Sequence, residues 1–153
     1  MKRYFTIKNF PTDIYTAVGQ IIQSSQEWED EYKKLAKKLD ISTINIDNAS
    51  LNRLNEALKK NKLIEEKEFN DLKSVIRKRN YINHTFFLTD FRKYAHKYDM
   101  LENTLNEIQF LIYEATDIID NKLDKLQGSE IMRPTVFDEQ KKIVAIKKYE
   151  LFV

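Results

Sequence analysis

The feature that most constrains the fold is the spacing of apolar residues in two long segments of the chain. In residues 12–39 they recur at alternating intervals of three and four, with Ser25 as the one polar member of the series: Ile14, Val18, Ile21, Trp28, Tyr32, Leu35 and Leu39. Residues 99–126 carry a similar series: Leu101, Leu105, Ile108, Ile112, Ala115, Ile119, Leu123 and Leu126. Because an α-helix turns once in about 3.6 residues, this spacing places the apolar side chains on one helical face. Two long amphipathic helices are therefore predicted.

Two further helices are predicted between these segments. A short helix near 50–61 has three inward-facing leucines, and Asn48 or Ser50 can cap it while Asn61 can end it. A longer helix is predicted from about 65 to 96. Its apolar face is interrupted by the polar stretch 77–80, where a bend or a break is compatible with the pattern.

The predicted helices leave a short segment at the amino end and a longer one at the carboxyl end. Residues 1–11 are rich in aromatic residues and fit either a brief strand or an ordered arm, after which Thr12 or Asp13 caps the first helix. Gly128 is predicted to end the last helix. Residues 129–153 then form a linker and a tail whose pattern fits a strand, a helix or a partner-binding arm.

Composition favours an all-α class. The 153 residues include two Gly and two Pro, far fewer turn residues than a β-sandwich or barrel needs. The predicted architecture is an antiparallel bundle of four to five helices over residues 1–128, followed by a short irregular or β tail over 129–153. Long helices in a small domain often leave one apolar seam uncovered, and a second copy related by two-fold symmetry commonly buries it. A homodimer is therefore expected.

Several functional classes are excluded by what the chain lacks. It contains two His and no Cys, so disulfides, thiolate chemistry and metal sites built from several His and Cys are excluded. A glycine-rich phosphate loop is missing, and neither a signal-peptide pattern nor a membrane-length apolar run is present. A cytoplasmic protein without a cofactor, a metal or a membrane partner is expected. The formal net charge of +2 means that any nucleic-acid-binding surface must be local.

One polar segment carries residues with catalytic chemistry, namely Arg79-Asn80-Tyr81-Ile82-Asn83-His84. A neutral imidazole at His84 can accept the proton of a ribose 2′-hydroxyl. The guanidinium of Arg79 can hold a phosphate and stabilise the charge that develops on it, and the Asn80 amide can orient either group. RNA cleavage by these groups requires no metal.

Helical geometry restricts how these residues meet. Asn80 and His84 share one helical face, whereas Arg79 and His84 lie about 140° apart around a regular helix. The Arg79 side chain must therefore curl around the helix, or the helix must bend, or a second chain must complete the site. A two-fold dimer that brings two such segments into one cleft satisfies the third option.

The segment RNYINHTFF resembles the HEPN superfamily (higher eukaryotes and prokaryotes nucleotide-binding domains), whose motif is Arg, four to six residues, then His, often with Asn after the Arg. The resemblance covers mainly residues 65–126 and implies a dimeric helical bundle. It further implies a metal-independent ribonuclease of the toxin–antitoxin or phage-defence type, with an antitoxin or another partner protein. Arg77 also fits the spacing to His84. Members silenced by nucleotide transfer carry Tyr two residues after the His, where this chain has Phe86, so that control is not implied.

Other residues near the motif are candidates for RNA contact: Arg77, Lys78, Tyr81, Arg92 and Lys93. Each has a simpler interpretation, since charged helical faces are commonly just solvated and Tyr81 fits core packing as well as base stacking. Two alternatives to an enzyme remain. One is a non-catalytic HEPN-like dimer that binds RNA, a nucleotide or a partner protein. The other is a helical scaffold whose tail binds a partner.

Overall fold

The computed structural model describes residues 3–130, and within them the chain is all-helical, as predicted. The helices are α1 (Thr12–Lys38), α2 (Leu51–Lys60), α3 (Glu66–His84), α4 (Asp90–Lys93) and α5 (Tyr98–Glu130), with 3-10 turns at Ile46–Asn48 and Phe86–Leu88. The chain divides into two compact units, Met1–Leu123 and Asp124–Val153, and the second contributes the last residues of α5. Residues 131–153, most of the predicted linker and tail, lie outside the described part.

The apolar series of the sequence form the core of the first unit. The α1 members from Ile14 to Leu35 are buried, and so are the α5 members from Leu101 to Leu123. Trp28 and Tyr32 are fully enclosed with their rings 5.6 Å apart, so they are core residues. No helix in the described part has the length and apolar character needed to cross a bilayer.

The ends of α1 and α2 test the predicted caps. Ser50 begins α2, where its hydroxyl accepts a hydrogen bond from the Arg53 backbone N–H at 3.3 Å, and Asn61 ends it, so these predictions are confirmed. The predicted capping of α1 by Thr12 or Asp13 is wrong, because Pro11 occupies the cap position. The Asp13 carboxylate instead accepts backbone N–H groups of the preceding residues 8 and 9, each at 2.8 Å.

The third helix differs from its prediction in length and in the place of its break. It continues without interruption through 77–80, where Lys78 and Arg79 find partners on neighbouring helices, and it ends at His84. Two consecutive phenylalanines follow the end of the helix. The turn after Thr85 buries Phe86 and sets the Phe87 ring edge-on against it at 5.2 Å.

The last helix is longer than predicted. Its backbone stays helical through Gly128 to Glu130, so Gly128 does not end it. A lone glycine costs only about 1 kcal/mol inside a helix, which the flanking helix-forming residues offset.

Residues 3–10 form an ordered arm held by α5, one of the two structures predicted for this segment. The Asn106 side-chain oxygen accepts the backbone N–H groups of Tyr4 and Phe5 at 2.7 and 2.8 Å. Its amide nitrogen donates to the Phe5 carbonyl at 3.0 Å, and Glu102 forms an ion pair with Arg3 at 2.8 Å. Buried Asn106 thus takes the hydrogen-bonding role that a neighbouring strand would have.

Candidate functional site

His84 is the last residue of α3 and lies exposed at the carboxyl end of that helix. Its side chain has no hydrogen bond or ion pair with any other described residue. Eighteen preceding helical residues, packed through buried Leu72, Val75, Ile76 and Ile82, fix its backbone. The structure therefore presents an uncommitted imidazole on a rigid support, as a general acid or base requires.

Arg79 faces the opposite direction, toward α1. Its Nε donates to Ser25 Oγ at 3.0 Å, and its Nη2 forms an ion pair with Glu29 at 3.0 Å. The side chain is only 17% exposed. Arg79 therefore fastens α3 to α1, and Ser25, the polar residue in an otherwise apolar series, is its acceptor.

Asn80 lies between these two residues in sequence and contacts one of them. Its side-chain oxygen accepts a hydrogen bond from Arg79 Nη1 at 2.8 Å. Because Asn80 precedes His84 by one helical turn, the two residues share a face of α3. The structure thus brings Arg79 and Asn80 into direct contact, and it leaves His84 without a hydrogen bond to either.

Arg77 shares the face of His84 more closely than Arg79 does. His84 is seven positions after Arg77, which corresponds to an offset of about 20° around the helix. Arg77 is exposed, and its guanidinium has no hydrogen bond or ion pair within residues 3–130. A free guanidinium and a free imidazole are therefore aligned along one side of α3, two turns apart.

The remaining predicted RNA contacts fall into two groups. Lys78 forms an ion pair with Glu107 of α5 at 2.7 Å, and half-buried Tyr81 bonds Thr89 at 3.2 Å and packs edge-on against Phe86. Burial raises the pKa of the Tyr81 hydroxyl. These two side chains therefore have structural contacts.

By contrast, the predicted RNA contacts on α4 are open to solvent. Both Arg92 and Lys93 are exposed, and the Lys93 ammonium lies 5.3 Å from the centre of the Tyr94 ring.

The sequence segment that contains His84 has an excess of basic residues. Residues 77–97 contain six Lys and Arg against a single Asp, a formal charge of +5, whereas the whole chain carries +2. This basic segment begins on α3, includes His84 and ends after α4. Lys78 and Arg79 are paired with Glu107 and Glu29, so the positive charge available near the exposed imidazole comes from the other four cations, which favours a polyanionic ligand there.

Residues 3–130 contain no group of three or more His, Asp or Glu side chains that could hold a metal ion.

Comparisons with protein-family models, with curated proteins and with solved structures each gave no match.

Proposed function

We propose that this chain is a HEPN-like, metal-independent endoribonuclease of the cytoplasm, acting as a toxin or phage-defence effector. The observation that favours it most is the exposed imidazole of His84, which has no partner among residues 3–130 and lies within a segment of formal charge +5. RNA is a polyanion whose 2′-hydroxyl needs only a base and charge stabilisation to attack its own phosphate. In this proposal His84 is the base, and the basic residues of the segment stabilise the charge.

The proposed reaction transfers a phosphoryl group from the 5′-oxygen of one nucleotide to the 2′-oxygen of the preceding nucleotide in the same RNA strand. His84 accepts the proton of the 2′-hydroxyl, and the 2′-oxygen attacks the adjacent phosphorus. The bond from phosphorus to the 5′-oxygen breaks, and that oxygen takes up a proton. The products are a 2′,3′-cyclic phosphate and a 5′-hydroxyl. In a two-fold dimer the His84 of a second copy would donate the proton that the 5′-oxygen takes up.

In this proposal Arg79 and Asn80 hold the phosphate. A guanidinium has five N–H donors, and described residues engage three of those of Arg79. The other two donors are the ones assigned to a phosphate oxygen. Asn80 bonds Arg79 and shares the face of His84, which supports its assignment to orient the phosphate. Because the Arg79 side chain points toward α1, the proposal requires a second copy of the chain to complete the site.

The test compares the two histidines of the chain, both exposed. Purified protein is incubated with RNA in EDTA, and the cleavage rates of wild type, His84→Ala and His96→Ala are measured. We expect His96→Ala to match wild type and His84→Ala to be slower by about 10²- to 10⁴-fold, the usual contribution of a general acid or base. Equal rates for all three proteins would remove His84 from the mechanism.

A second candidate function is a non-catalytic HEPN-like dimer that binds RNA, a nucleotide or a partner protein. The observation that favours it is the ion pair between Arg79 and Glu29, which neutralises the arginine of the motif. RNA that is bound but not cleaved by the wild-type protein would support this function over the enzyme.

A further inference from the structure

An aromatic surface lies next to His84. It consists of Tyr15 on α1, Phe87 and Leu88 in the turn after α3, and Phe91 on α4, and is called the aromatic platform below. Tyr15 is 54% exposed and Leu88 is 61% exposed. The Tyr15 ring lies 5.7 Å from that of Phe87 and 6.0 Å from that of Phe91. The exposed Tyr15 ring thus lies against the half-buried rings of Phe87 and Phe91, and exposed Leu88 follows Phe87 in the sequence.

The platform is close to the exposed imidazole. Phe87 follows His84 by three residues, so their Cα atoms are at most about 11 Å apart. Phe87 is itself in ring contact with Tyr15. A short oligonucleotide is long enough to rest on the platform and to reach His84.

Charge indicates which partner this surface suits. Exposed Arg92 and Lys93 directly follow Phe91 in the sequence, exposed Arg77 lies two turns before His84 on α3, and all three belong to the basic segment 77–97. A polyanion with apolar faces satisfies both the aromatic rings and the cations, and an unpaired nucleotide strand has this chemistry.

We propose that the platform stacks an unpaired base, so that the domain takes single-stranded RNA in preference to duplex. Tyr15 provides the most exposed ring and Phe87 supports it. Arg77, Arg92 and Lys93 contact the phosphates on either side. This inference rests on the proposed function, because the platform holds the strand for His84, yet binding can be measured apart from cleavage.

The experiment measures the affinity of the full chain for a labelled single strand whose ribose oxygens are 2′-O-methylated, so that it cannot be cleaved. Tyr15→Ser removes the ring and Tyr15→Phe keeps it. Tyr113→Ser is the matched control, since Tyr113 is a similarly exposed tyrosine whose ring contacts Tyr4 instead. We expect Tyr15→Ser to bind about 5- to 100-fold more weakly and the other two variants to bind like wild type. The same sequence in a duplex should bind more weakly than the single strand.

Three results would overturn the inference. One is Tyr15→Ser binding as tightly as wild type, and another is duplex binding as tight as single-strand binding. The third is a shift of Tyr15→Ser from dimer to monomer in sedimentation with RNA binding unchanged, which would assign the platform to self-association. Cleavage of an all-ribose strand is scored separately. RNA binding that depends on Tyr15, without cleavage, would contradict the proposed nuclease and support the platform. Cleavage with binding that does not depend on Tyr15 would support the nuclease and contradict the platform.

Discussion

Replacing Arg79 with alanine should destabilise the bundle, because this side chain connects α3 to α1. The change removes an ion-paired hydrogen bond to Glu29, worth about 1.5–3 kcal/mol, and hydrogen bonds from the guanidinium to the uncharged oxygens of Ser25 and Asn80, counted at about 1 kcal/mol each. Partial exposure lowers the sum. Glu29 also keeps its ion pair with Lys33 at 3.4 Å, so its carboxylate is not left alone. The net loss should be about 2–3 kcal/mol.

Urea denaturation measures this loss directly. Trp28 is the only tryptophan and is fully buried, so its fluorescence reports unfolding of the core. A loss of about 2–3 kcal/mol lowers the melting temperature of a domain of this size by roughly 5–10 °C. Arg79→Lys should recover only part of the loss, because an ammonium cannot reproduce the planar fork that bonds three partners.

Arg77→Ala is the matched control, since Arg77 is an exposed arginine on the same helix without a described partner. Its stability should stay within about 0.5 kcal/mol of wild type. If Arg79→Ala is as stable as wild type, or if Arg77→Ala loses as much, the connecting role of Arg79 is refuted. The comparison also shows how much of any activity lost in Arg79→Ala comes from unfolding.

Three further changes test the fold. Asn106→Ala should cost about 2–3 kcal/mol and expose the arm 3–10 to chymotrypsin, whereas Asn103→Ala, at an exposed position of the same helix, should do neither. Backbone hydrogen bonds lower the pKa of Asp13, so the ionised carboxylate stabilises the folded state at neutral pH, and this contribution is lost as the pH falls below roughly 4. The melting temperatures of wild type and Asp13→Ala should therefore differ at pH 7 and converge in acid. Tyr32→Phe should lose about 1 kcal/mol in urea denaturation, because it removes the buried bond to Asn55 at 3.1 Å.

The helical fold was predictable because periodic burial is a local property of the sequence. The alternating intervals of three and four in α1 and α5 mark the residues that the structure buries, and Ser50 and Asn61 bound α2 as predicted. These features depend on neighbours within one or two turns, which a single sequence displays.

The contacts between distant segments were not predictable in the same way. Asn106 binds a backbone about 100 residues away, and Arg79 reaches Glu29 and Ser25 on another helix. Such pairings depend on how helices pack, which periodicity does not specify. Ser25 was the one available signal, because a serine at a buried position of an apolar series needs a polar partner.

The candidate site was predictable only in its composition. The sequence identified His84 and its basic surroundings, and the structure shows that imidazole exposed at the end of α3. The sequence allowed a bend or a break at 77–80, before His84, because polar residues interrupt the apolar pattern there. In the structure Lys78 and Arg79 pair with residues of neighbouring helices, and α3 continues to His84.

The most direct test of the account uses a DNA strand that contains one ribonucleotide, incubated with the wild-type protein in EDTA and analysed by mass spectrometry. Attack by a 2′-hydroxyl predicts a single cut, 3′ to the ribonucleotide, with a 2′,3′-cyclic phosphate on one fragment and a 5′-hydroxyl on the other. An intact strand, under conditions where the protein binds it, would contradict catalysis by this domain. Cuts at deoxyribonucleotides would contradict the proposed role of the 2′-hydroxyl.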